Sequence, residues 1–395
     1  MVKYNIIMKK QLIIIILALV ALLMTSCSNM RFAFKNRKLY SSVTTSKGLA
    51  IMRDTIDFVI KEDRILVETM VDGTMDTVFL DTGFNGALVE IHPMSEKTDD
   101  YSKVKLGGAI KKVKVYEKVD TVRYNFLWHH LGIKMDICTD LDIVCGKSLS
   151  DYKIIGLKAV LPDDVSDRMN LNFSDQQITY YKYNDDTTFN LTGYKPIKCE
   201  YKWLKNQLYV YPVIGGVEYE CLFDTGNSGY LSLKNDKSNA QRKDGDIICE
   251  GSWGIAISGV ENGGEIIIRN NETVEMGDES FDATVCYVKN TAYNNMGIKF
   301  ISRFDWYFNK GKMYYKPRNV ENVDYQIKSP YRLIATDKGL MVIMKVVDEK
   351  NTLNFGDIIT AVNGVEITKE NICYYNKLLN NTMDWSVLEI GVLAR

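Results

Sequence analysis

Two aspartates stand in the same local setting 143 residues apart (224 − 81 = 143). Each opens an Asp-Thr-Gly tripeptide, Asp81-Thr82-Gly83 and Asp224-Thr225-Gly226, and each follows a hydrophobic run, Val78-Phe79-Leu80 and Cys221-Leu222-Phe223. Two carboxylates brought within hydrogen-bonding distance cannot both ionise easily, so such a pair titrates in two separated steps and holds one proton between them. The ionised member can take a proton from a bound water while the neutral member hydrogen-bonds a carbonyl oxygen, so that water attacks without a covalent enzyme intermediate. Asp81 and Asp224 are the candidate catalytic pair. A single Asp-Thr-Gly also suits an aspartate capping a hairpin turn, but that reading explains one site well and two poorly. The glycine of each motif lets the chain bend sharply and brings backbone amides near the carboxylate.

The elements that must position this pair repeat as well. Gly107, in Leu106-Gly107-Gly108, and Gly251, in Glu250-Gly251-Ser252-Trp253-Gly254, lie 144 apart (251 − 107 = 144). Ile155-Gly156-Leu157 and Met296-Gly297-Ile298 place their glycines 141 apart (297 − 156 = 141). Each half closes on a similar strand, Ile178-Thr179-Tyr180-Tyr181-Lys182 and Met313-Tyr314-Tyr315-Lys316, where the offset falls to 134 (315 − 181 = 134). The pattern predicts one internal duplication with a unit the size of half a domain, its second copy having a shorter final connection. Residues 57–71 read as a hairpin arm turning at Gly73 into the strand that delivers Asp81. Residues 209–214, the Gly215-Gly216 turn and residues 219–223 read as the equivalent hairpin ending at Asp224.

The 395 residues are 46% hydrophobic and 25% charged, as expected for a globular chain of two or three domains, and 24 tyrosines among short Val/Ile/Tyr-rich runs favour strands. A net charge of −1 argues against a nucleic-acid partner. With three histidines (His92, His129, His130) and no Cys-x-x-Cys, the sequence gives no reason to expect a metal or other cofactor. His129-His130 reads as part of a loop or hairpin.

Three further resemblances follow from these motifs. Residues 48–190 and 191–318 resemble the two lobes of a bacterial retropepsin-like or pepsin-like aspartic protease, which implies a mostly β, bilobed barrel fold and an aspartic-type endopeptidase activity. In that family the threonine hydroxyls brace one lobe against the other beneath the pair. Thr82, Gly83, Thr225 and Gly226 take the supporting positions. The segments at Gly107 and Gly108, and at Gly251, Trp253 and Gly254, fall where retropepsins carry the flap, a hairpin that folds over bound peptide; the same glycines also suit ordinary tight turns. The sequence departs from the family at Phe84 and Asn227 after the two motifs, and a ring at Phe84 would narrow the cleft.

The N-terminus reads as a sorting signal. Lys3, Lys9 and Lys10 precede an apolar stretch at residues 12–24, and Met24-Thr25-Ser26-Cys27 resembles the lipobox of bacterial lipoproteins. That resemblance implies a leader over residues 1–26, lipid modification at Cys27, a tether over 27–47, and a cell-envelope protein anchored in the outer membrane and facing the periplasm. The seven other cysteines have no spacing that defines a disulfide framework.

Residues 325–395 resemble a PDZ domain of the bacterial protease type. The run Gly356-Asp357-Ile358-Ile359-Thr360-Ala361-Val362-Asn363-Gly364 supplies a strand and a tight turn whose two central positions tolerate positive φ. Residues 371–380 are expected as the helix beside a peptide groove, with Gly339, Leu340, Met341 and Val342 at the groove's carboxylate-binding loop and peptide captured by backbone strand addition. Met341 stands where that family often has a glycine, which weakens the case for recognition of a free C-terminus. The sequence therefore predicts a monomeric, membrane-anchored endopeptidase acting on peptides or extended protein. The alternative is a catalytically inactive peptide-binding lipoprotein on the same fold.

Overall fold

The computed structural model describes residues 53–84, 88–107, 112–126, 129–139, 153–156, 168–181, 189–202, 207–236, 240–256, 259–260, 264–309 and 311–393. The leader, the tether, Cys27 and Gly108 lie outside them. The fold is mostly β and bilobed.

The two lobes share one wiring. In the first, strand Thr74–Asp81 runs parallel to Lys153–Gly156, which puts Asp81 opposite Gly156. In the second, Cys221–Phe223 runs parallel to Asn294–Met296 with Phe223 opposite Met296, one residue before Asp224 and Gly297. The returning strands Leu88–Pro93 and Leu231–Lys234 lie antiparallel to Lys153–Gly156 and Asn294–Met296, and parallel to His129–Thr139 and Glu279–Val288. Each lobe then carries a long hairpin. Ser102–Gly107 pairs with Lys112–Phe126 in the first, and Ile247–Gly251 pairs with Gly264–Met276 in the second.

The apolar runs before the motifs are buried on both faces, which is why they read as continuous and not alternating. Val78 and Leu80 enter the main core while Phe79, pointing the other way, enters an outer cluster with Leu66, Val89, Ile91, Val115, Met135, Ile137 and Ile154. The expected turns form at Asp72-Gly73 and Gly215-Gly216, all four residues at positive φ.

A six-stranded sheet joins the lobes. Its order is Arg53–Asp57, Gln177–Tyr181, Arg168–Asn172, Phe304–Asn309, Lys312–Pro317 and Lys195–Ile197, three strands from each half. The halves meet where Leu171 faces Trp306. Trp306 is fully buried, donates its Nε1–H to the Ile301 carbonyl at 2.8 Å, and meets Phe223 edge-on with centroids 5.0 Å apart. The strand that delivers Asp224 is thereby seated on the joining sheet.

The C-terminal unit comprises strands Tyr331–Thr336, Gly339–Val346, Ile358–Val362, Val365–Glu366 and Ile390–Val392 and the helix Ile372–Leu379. Asn363 and Gly364 make its tight turn, with φ of 50° and 75° and Val362 opposite Val365. Cys373 alone among the described cysteines is disulfide-bonded. This unit does not have a sheet of its own: Gly339–Val346 pairs antiparallel with Ile247–Gly251, so second-lobe and C-terminal strands form one continuous sheet.

Candidate active site

Asp81 and Asp224 meet at the junction of the lobes, where their carboxyls share a hydrogen bond. Each sits in the same turn. The Phe84 amide lies 3.1 Å from Asp81 Oδ1 and 3.2 Å from the Asp81 carbonyl, and the Asn227 amide lies 3.2 Å from both Asp224 Oδ1 and the Asp224 carbonyl. The Gly226 amide adds a bond to Asp224 Oδ1 at 3.0 Å. These amides aim partial positive charge at each carboxylate.

The threonines interlock beneath. Thr82 N–H donates to Thr225 Oγ1 at 3.0 Å and Thr225 N–H donates to Thr82 Oγ1 at 2.9 Å. Each hydroxyl in turn donates across the junction, Thr82 to the Phe223 carbonyl at 2.7 Å and Thr225 to the Leu80 carbonyl at 2.9 Å. Both threonines are buried, so all four bonds act in a low-dielectric setting where leaving one unmade is expensive. The glycines are fixed by close approach: a Cβ on Gly83 would overlap the Asp224 carboxylate, and one on Gly226 would overlap that of Asp81.

Burial pushes the Asp81 carboxyl up to about 6, against the pull of the Phe84 and Gly83 amides and the hydrogen bond from Asp224. Asp224 is raised well above the usual carboxylate range, first by burial and then by the charge of Asp81. Both residues are tightly surrounded by protein yet keep part of their surface exposed, so water reaches a pair that otherwise favours the neutral form. Both carboxyls are raised, so the pair as a unit retains one proton and carries one charge. That combination can polarise a carbonyl and deprotonate a water at one point.

The ring of Phe84 is partly buried and packs against the first lobe's outer cluster.

No protein-family model matches the chain, and no curated protein matches it. Among solved structures it is similar to basic 7S globulin from soybean, with a TM-score of 0.34 and 8% identity over 69% of this chain and 98% of that one. So distant a likeness carries no argument about chemistry.

Two expectations outside the pair change. Gly107 pairs with Lys112 at the last described rung of the first-lobe hairpin. At the corresponding end of the second-lobe hairpin, however, Gly251, Ser252 and Trp253 are not a free turn. Gly251 is wedged so closely against the Ile343 carbonyl that a Cβ would overlap it, Ser252 N–H donates to that carbonyl at 2.6 Å, and the Trp253 carbonyl accepts from Arg332 Nη1 at 2.7 Å. Past Gly254, the short strands Ile255–Ala256 and Gly259–Val260 form a hairpin of their own.

The expected peptide groove at Gly339, Leu340, Met341 and Val342 is also displaced. All four residues pair on one side with Tyr331–Thr336, and Leu340 to Val342 bond on the other to residues 356–359, so no edge remains there for an added strand. Strand Tyr331–Thr336 pairs only with Gly339–Val346 among the described residues, and it lies beside the helix Ile372–Leu379. On its outer side the Asn380 amide mimics a strand partner, accepting from Leu333 N–H at 2.8 Å and donating to the Leu333 carbonyl at 3.1 Å.

One group of metal-capable atoms occurs on the first lobe. Glu90, His92 and Asp136 bring ligand atoms within 4.8 Å of one another. Lys134 lies 2.6 Å from Glu90 and 3.2 Å from Asp136, and Lys153 lies 3.3 Å from Glu90 and also pairs with Asp76. The lysines balance these carboxylates, and the group reads as an ion-pair network.

Proposed function

We propose that the chain is an aspartic-type endopeptidase that hydrolyses peptide bonds of extended polypeptides. The observation that carries this reading is the pair itself: two carboxyls sharing a hydrogen bond in matching amide-lined turns, locked together by reciprocal threonine bonds. In the proposed reaction the ionised member of the Asp81–Asp224 pair accepts a proton from a water held between the carboxyls, and the protonated member donates its proton to the scissile carbonyl oxygen. The resulting tetrahedral species breaks its C–N bond as a proton passes to the leaving amine. Both groups come from one chain, so a monomer suffices.

The C-terminal unit is proposed as a PDZ-like peptide-binding module. The edge of Tyr331–Thr336 facing the helix is its binding strand, where an extended segment would displace the Asn380 amide from Leu333. Lipid modification at Cys27, giving a membrane-anchored protein of the cell envelope, is proposed from the sequence. Among the described residues no helix is long and apolar enough to cross a membrane.

Incubating the soluble form that begins after Cys27 with a diverse peptide library from pH 4 to 8 tests the reading. Internal cuts whose two products sum to the substrate plus one water support it. Peptides retained by the protein but left whole over long incubation would replace it with the peptide-binding alternative.

A further inference from the structure

We propose that the C-terminal unit is the mount of the second-lobe hairpin, and that Arg332 is a positioning residue that holds Trp253 against the Asp224 loop and so sets how tightly substrate is gripped. The substrate arm rests on the endopeptidase reading; the mount does not.

The strand Ile247–Gly251 would be an open sheet edge if the lobe stood alone, with unpaired amides and carbonyls facing water. Instead Cys249, Glu250 and Gly251 pair with Val346, Lys345 and Met344, and Val347 N–H donates to the Ile248 carbonyl at 2.8 Å. The contact is also apolar. Met344 and Val346 complete a buried cluster formed by Tyr230, Cys249, Ile266, Ile268, Cys286 and Val288, with Trp253 and Tyr325 packed on it.

Trp253 links this mount to the reacting groups. A Cβ on Gly229 would lie 3.6 Å from the indole Nε1, so the ring stands against the loop that runs from Asp224 to Tyr230. Tyr325, from the segment between the second lobe and the C-terminal unit, supports the ring at a centroid distance of 5.9 Å and meets Tyr230 at 6.3 Å. Its own backbone is tied to the hairpin by paired bonds with the Asn270 amide at 2.9 and 3.1 Å. Arg332 then reaches from the C-terminal unit to the Trp253 carbonyl. This is a single bond to one backbone carbonyl, so its effect is read at the hairpin itself. A hairpin held on its outer strand, beneath its aromatic residue and at the Trp253 carbonyl cannot shift relative to Asp224 without moving the C-terminal unit.

The test uses the full chain with Arg332→Ala and Arg332→Lys, read by amide hydrogen exchange over residues 247–256 and by kcat and KM on a cleaved library peptide. Arg332→Ala should speed exchange at residues 252–254 roughly tenfold while leaving the first-lobe hairpin unchanged. It should raise KM roughly tenfold with kcat unchanged, the sign of lost uniform binding. Arg332→Lys, which keeps a cationic donor, should recover part of both. Unchanged exchange in Arg332→Ala overturns the mount. Faster exchange with unchanged KM overturns the substrate arm. If the wild type cuts no peptide, the substrate arm falls with the endopeptidase reading, and exchange alone still decides the mount.

Discussion

On the first lobe, the outer face of the sheet is covered by the lobe's own residues, with Phe84 packed on a cluster running from Leu66 to Ile154. On the second, the matching cluster around Tyr230, Ile266 and Cys286 is completed by Met344 and Val346 from the C-terminal unit. The same division holds for the hairpins: among the described residues Ser102–Gly107 ends its sheet, whereas Ile247–Gly251 is paired on both sides. At the aspartates the match is closer, with the Phe84 and Asn227 amides in equivalent places and the threonine bonds reciprocal. The duplicated halves have stayed equivalent where a shared proton requires two similar carboxylates. They have diverged where one hairpin acquired a neighbour.

The equivalence of the turns can be broken most forcefully at the carboxyls. Asp81→Asn and Asp224→Asn should each lower kcat/KM by about 10³-fold or more, since either change removes a general acid or base that the other cannot replace. Unequal losses differing by orders of magnitude would break the symmetry. Thr82→Val and Thr225→Val come next. Each strands a buried amide and a carbonyl, and each should destabilise the fold by about 2–4 kcal/mol in chemical denaturation; the two values should agree to within about 1 kcal/mol if the junction is as symmetric as its distances.

The divergence of the hairpins is sharpened by Gly251→Ala. Its φ of +128° and its contact with the Ile343 carbonyl leave no room for a methyl group, so a loss of about 1–3 kcal/mol is expected. A neutral result in a thermal melt would mean that the clasp is loose.

The smallest effect is on pH dependence. Because burial raises both carboxyls, hydrolysis should rise with pH through about 6 as the pair loses its first proton, and fall only when the second is lost at higher pH. A rise centred near the ordinary aspartate value of about 3.9 would contradict the burial argument. The same shifts set the stability trend. Folded carboxyls that hold protons more tightly than unfolded ones favour the fold fully below about 3.9 and lose that advantage as pH rises through about 6. The melting temperature of Asp224→Asn should therefore gain on the wild type between pH 4 and 8.

The paired turns were legible in the sequence because their determinants are local and repeated. The 143-residue offset between the aspartates recurs between Leu88 and Leu231 (231 − 88 = 143), which stand opposite Ile155 and Met296, themselves 141 apart (296 − 155 = 141). The Asn363-Gly364 turn was legible for the same reason. The clasp was not. It joins Cys249 to Val346, 97 residues on (346 − 249 = 97), through backbone groups that every strand carries, and no residue type marks which edge will be covered. The open edge of the C-terminal unit escaped similarly. Gly339 to Val342 have a strand-like sequence, but which strand keeps a free edge depends on where the helix packs, as the Asn380 bonds to Leu333 reveal. Where the Phe84 ring packs depends on tertiary contacts that its local sequence does not carry.

The most direct test of a dyad built within one chain incubates one peptide library with four samples: wild type, Asp81→Asn, Asp224→Asn, and an equimolar mixture of the two variants. Cuts by the wild type alone are predicted. Cleavage by either variant, recovery of cleavage in the mixture, or intact peptides in all four samples would contradict it.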